Sequence, residues 1–101
     1  MTSEVVLKMT AKFLIVIEKG DQNYSAYSPD VLGCAAAGES VEDTLSNMRS
    51  ALEFHLEGLL ENGEEMPAPK SLGYYIRETD EISNEDIIAH LDINVPEMAP
   101  A

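Results

Sequence analysis

The chain has 101 residues and 19 acidic against 6 basic side chains, a net charge of −13, so it is one domain with one core, too short for separate catalytic and recognition domains. The six basic residues are scattered, which disfavours direct nucleic-acid binding because no footprint displaces phosphate counterions, and the excess of acid instead fits a basic protein partner. A single cysteine, Cys34, excludes an intrachain disulfide, no Cys/His set has zinc spacing, and the longest apolar run, 13–17, is far too short for a bilayer, so a soluble cytoplasmic protein without cofactors is expected.

Residues 1–4 are expected to fray, and 5–10 to lead into a first strand over 12–19. There Phe13, Ile15 and Ile17 point one way and Leu14 and Val16 the other. Apolar side chains on both faces require both to be covered. A helix can cover one, and the second face calls for another element or a second copy, so a homo-oligomer, dimer or tetramer, is expected.

Turn chemistry at 20–23 joins that strand to a second over 24–28, an antiparallel hairpin ended by Pro29 and Asp30. Small residues from Cys34 to Gly38 read as a third strand on which a helix can lie close. Ser40 is an N-cap, with Glu42 and Asp43 on the positive end of the helix dipole. From Val41, an apolar stripe of Leu45, Met48, Leu52, Leu56 and Leu59 runs at steps of three and four until Asn62 and Gly63 stop it.

Pro67 and Pro69 make an extended connector. Ser71 caps a short helix over 72–77, a polar loop follows over 78–85, and Ser83 is an alternative start for one helical turn. Residues 88–95 alternate, with Ala89, Leu91, Ile93 and Val95 on one face and His90, Asp92 and Asn94 on the other, a closing strand ended by Pro96. The whole is α+β: an antiparallel three-stranded meander, one long helix, an irregular connector and a closing strand, with its core in 12–95 and a tail over 97–101.

The middle of the chain carries Tyr27-Ser28-Pro29-Asp30, Gly33-Cys34, Ala37-Gly38-Glu39-Ser40, Ala51-Leu52-Glu53, His55-Leu56-Glu57-Gly58-Leu59, Glu61-Asn62-Gly63-Glu64 and Pro67. Over 12–69 this pattern resembles the HicB-like antitoxins, partners of the HicA mRNA-cleaving toxins. The resemblance implies a partial RNase H-like fold without nuclease activity, assembly into dimers or tetramers, and a small basic RNase partner whose catalytic histidine is masked. Two departures stand out. Leu32 occupies a position usually held by Pro, and only six residues follow Val95, so the C-terminal DNA-binding domain of many members is expected to be lacking, and with it operator binding.

An RNase H-like enzyme needs carboxylates converging on two metals about 4 Å apart. The first strand's interior offers none, leaving Glu18 at its end and Asp92 on the last strand, and no catalysis is expected. Asp30 reads either as a carboxylate that turns the chain or as a partner contact, the former favoured. His55 reads as a packing histidine and Cys34 as a small buried hydrophobe, while His90 is uninformative. Phe54 lies opposite the stripe, four residues before Gly58, so it awaits a cover from the C-terminal segment, another subunit or the toxin. Glu42, Asp43, Glu53, Glu57 and Glu61 read as complementary charge for a basic partner or simply as a solvated face. Asp30, Phe54, Glu57 and Glu61 are the candidate partner-binding residues. The competing function is a toxin-independent oligomeric module that binds a small molecule or another protein.

Overall fold

The structure, a computed structural model, describes residues 8–96. The frayed ends expected over 1–4 and 97–101, and the lead-in over 5–7, lie outside the described residues. Strands β1 (Lys8–Lys19), β2 (Tyr24–Ser28) and β3 (Val31–Gly38) precede helix α1 (Val41–Glu61), and helix α2 (Leu72–Glu78) precedes strand β4 (Ile87–Pro96). All neighbours are antiparallel, in the order β3-β2-β1-β4. The closing strand therefore pairs with β1, which lies inside the sheet, while β3 and β4 form its edges.

Helix α1 begins and ends where its caps dictate. Ser40 Oγ accepts from the Asp43 N–H at 3.0 Å, and Gly63 takes a positive φ of 69° just past the end. Its buried positions are Thr44, Met48, Leu52 and Leu56, with Val41, Leu45 and Leu59 half-buried at the margins. They close over Phe13, Ile15 and Ile17 of β1, Ala26 of β2, Val31 and Cys34 of β3, and Leu91 and Ile93 of β4. Full burial of Met48, Leu52 and Leu56 contributes about 1.5–3 kcal/mol each before entropy is subtracted.

Gly38 sets how closely the helix approaches. A Cβ there would sit 2.6 Å from the Thr44 N and 2.7 Å from its Oγ1, so the first turn of α1 rests on bare backbone. β3 is longer than the sequence indicates. It begins at Val31 through an irregular register between Tyr27 and Ser28, with Gly33 at a φ of 82°.

The second sheet face is covered within the chain. Leu14 and Val16 are wholly buried within a single chain, at 0% exposure, so the doubly apolar β1 does not require another copy. The chain returns to cover itself. Tyr75 of α2 is buried and bonded to Asp30, whose other oxygen holds the Leu14 N–H, so α2 is anchored beside β1. The loop that follows passes Tyr27, which shares the face of Val16 through their pairing, and the charges of Glu81, Glu18 and Asp86 reinforce burial in raising the Tyr27 pKa. In that loop Ser83 starts a turn and no helix: Ser83 N–H donates to Asp86 Oδ2, and Asp86 N–H returns to the Ser83 carbonyl.

Candidate partner-binding surface

Asp30 is the corner post between β2 and β3. Its Oδ2 accepts from the Leu14 N–H at 2.9 Å, and its Oδ1 accepts from the Lys70 N–H at 2.8 Å and from Tyr75 Oη at 2.5 Å. Its own N–H donates to Ser28 Oγ at 3.2 Å. Both carboxylate oxygens are thus committed inside the chain, tying β1, the connector and α2 to one point. Burial, then the hydrogen bond to Asp30 and its charge, push the Tyr75 phenol pKa well above the ordinary tyrosine value. A carboxylate so occupied organises the site from within.

The same corner raises Leu32 into solvent, 87% exposed, between two depressions. One, of about 240 Å³, has Tyr27, Pro29, Cys34 and Tyr75 in its walls, with Glu81 at its rim. The other, an open groove of about 460 Å³, runs between Asp30 and the C-terminal half of α1, lined by His55, Leu59, Glu65 and Met66. Burial also raises the Cys34 thiol pKa, which keeps it protonated.

The outer face of α1 is the larger feature. Phe54 is 79% exposed there. Glu57 and Glu61, three and seven residues on, share its side of the helix, Glu53 adjoins it, and all three are exposed. Gly58, four residues on, has nothing within 4 Å of where a Cβ would stand. An aromatic ring set among carboxylates, beside a position with no side chain, presents an apolar anchor inside a negative field. Glu42 and Asp43 lie at the helix start, about three turns from Phe54.

Glu18 and Asp92 do not converge. Asp92 pairs with Lys12, six residues from Glu18 along β1, a separation of about 20 Å at about 3.3 Å per residue. These two carboxylates cannot share a metal pair. Asp92 instead faces Lys12 across an exposed 4.0 Å contact, which contributes little. His90 is exposed on the same face of β4, opposite Leu14.

Residues 13–100 match the family model described as the HicB-like antitoxin of bacterial toxin-antitoxin systems. The chain belongs to the HicB-like antitoxin family. A 14.9 kDa protein of Haemophilus phage HP1 is 39% identical over 64 residues, 63% of this chain and 48% of the relative, so the match spans about half of that protein's length. The N-terminal domain of the Burkholderia pseudomallei antitoxin HicB shares the fold, with a TM-score of 0.72 over 83% of this chain and 99% of that one, at 24% identity. A structure described as the HicA3 and HicB3 toxin-antitoxin complex matches at 27% identity and a TM-score of 0.63, over 81% of this chain and 96% of that one.

Of the residues that carry the HicB-like resemblance, Tyr27, Pro29, Asp30, Gly33 and Cys34 fall at one corner, while Gly38 lies at the far end of β3. Tyr27, Pro29, Gly33 and Cys34 line the smaller cavity, Asp30 closes the groove beside it, and Gly38 seats α1. Tyr75 and Leu14 complete the Asp30 cluster and were not legible as functional positions, since each looks like ordinary core until the fold brings it to the carboxylate. Leu32 does carry a signal: a large apolar residue between Val31 and Gly33, exposed near the start of β3.

Proposed function

We propose that this chain is an antitoxin that neutralises a small basic RNase of the HicA kind by covering its active site, acting by binding and without catalysis of its own. The observation that carries the reading is Phe54, exposed at 79% on an acidic helix face that the described residues leave uncovered. Exposed aromatics that become buried in a complex are the usual energetic centres of interfaces. Glu57 and Glu61 supply charge beside it, and the net charge of −13 steers a cationic partner toward the whole surface. Membership of the HicB-like family and the likeness to an antitoxin solved with its toxin support the choice of partner. Asp30 contributes by fixing the corner beside this surface, and the pair would meet in the cytoplasm, where mRNA is cleaved.

The test is co-expression with the small basic reading frame adjacent to the gene. Growth rescue and co-purification are expected with the wild type. Phe54→Glu should weaken capture about 30-fold or more, the equivalent of losing about 2 kcal/mol of buried ring, while leaving the fold intact. Full capture by Phe54→Glu would remove Phe54 from the interface. Absence of any capture by the wild type would favour the toxin-independent binding module.

A further inference from the structure

The register shows which backbone groups at the edge of the sheet are free. The Leu14 N–H reaches Asp30 at the β2–β3 corner, so Leu14, and by alternation Val16 and Glu18, direct their backbone toward β2. Their partners Tyr27 and Ser25 therefore bond to β1, and Ala26 turns to β3. Ala35 and Ala37, which stand opposite Tyr27 and Ser25, must then point their N–H and C=O groups outward along the open edge. Asn47 Nδ2 takes the Ala37 carbonyl at 2.7 Å. Among the described residues, none takes the Ala35 N–H and C=O or the Ala37 N–H.

The opposite edge is defended. There the same alternation turns Asp92 outward, Arg49 covers its carbonyl at 2.7 Å, and exposed His90, Asp92 and Asn94 surround it. Apart from Asn47 at the Ala37 carbonyl, β3 has none of these devices. From Val31 to Gly38 it carries no charge and no proline, and its exposed side chains beyond Leu32 are at most a methyl group. An unguarded edge of this kind is a template for another strand.

We infer that the β3 edge is a strand-addition site for an extended, cationic segment of a partner protein. Charge selects the occupant. Exposed Glu39 stands at one end of the strand, and Glu65 and Glu81 line the depressions flanking Leu32 at the other. A second copy paired antiparallel about Ala35 would set Glu39 opposite Val31, next to Asp30, and bring two chains of −13 together. A segment with lysine or arginine at both ends meets opposite charge instead. The inference uses a different surface from the Phe54 face and does not depend on it.

The probe is a synthetic eight-residue peptide of alternating threonine and valine with lysine at each end, compared with a copy carrying glutamate at those ends. Amide NMR of the full chain should show the lysine peptide shifting and protecting Ala35 and Ala37. Ala35→Pro removes an outward N–H without touching the β2 ladder and should weaken binding at least 10-fold. Ala35→Lys, which leaves the backbone unconstrained, should do the same by charge and serves if the proline variant is unfolded. Phe54→Glu should leave peptide binding unchanged, so failure here and failure of toxin capture are separable. Equal binding of the glutamate peptide, shifts confined to other surfaces, indifference to both Ala35 variants, or a dimer of the wild type that Ala35→Lys converts to monomer would each overturn the inference.

Discussion

Replacing Asp30 by Ala should be among the most destabilising single changes at the surface of this domain. Three donors lose their acceptor: the Leu14 N–H, the Lys70 N–H and Tyr75 Oη. Lys70 is exposed and recovers a bond from water, whereas Leu14 is wholly buried and Tyr75 is 8% exposed. An orphaned buried donor costs about 1–3 kcal/mol, so two cost about 2–6 kcal/mol in a domain whose total stability is about 5–15 kcal/mol. At about 4–8 °C per kcal/mol for a domain near this size, Tm should fall by at least about 8 °C. Thermal and urea denaturation followed by circular dichroism measure this directly. Tyr75→Phe removes one of the donors and should cost less, and in the double variant the two losses should fall short of additive by about 1 kcal/mol. A Tm within about 3 °C of wild type for Asp30→Ala, accompanied by lost toxin capture, would refute the internal role and make Asp30 a contact residue.

Alkaline pH should unfold the chain early. The Tyr75, Tyr27 and Cys34 pKa values are all raised, primarily by burial, so between the ordinary and folded values the unfolded chain holds fewer protons. Stability from these groups is therefore complete below the ordinary thiol value of 9.0 and tyrosine value of 10.0, and declines above them. A pH series of urea midpoints should show that decline, flattened in Tyr75→Phe; a Tyr75→Phe curve parallel to wild type would contradict it. Gly38→Ala should destabilise by about 1–3 kcal/mol, because its Cβ meets Thr44 backbone at 2.6 Å. Gly58→Ala should instead gain up to about 1 kcal/mol in urea denaturation, having open space around it, while the added methyl beside Phe54 weakens toxin capture.

Local chemistry was readable wherever it alone decides structure. Ser40, the 3.6-residue stripe and Asn62-Gly63 define α1 residue for residue, because caps and periodicity act within one element. The start of β3 was not readable: Leu32 and Gly33 look like loop, and only pairing with β2 across an irregular register draws Val31 into the strand. The doubly apolar β1 correctly announced two covered faces but not the identity of the second cover. That cover depends on a hydrogen bond between residues 45 apart, Asp30 and Tyr75, which no spacing rule encodes. Phe54 stood out because an aromatic opposite an apolar stripe is anomalous by itself, and the described residues leave it uncovered. The free groups of β3 needed the register, since a strand read alone does not show which side is an edge.

The central claim is that this acidic, Phe54-bearing surface shuts off a basic RNase by covering its active site. Purified toxin from the adjacent reading frame, titrated with the full chain in an RNA-cleavage assay, tests it most directly. Cleavage should fall to background at stoichiometric equivalence and return when Phe54→Glu replaces the wild type. A toxin that binds the chain yet continues to cut RNA at saturation would contradict the account.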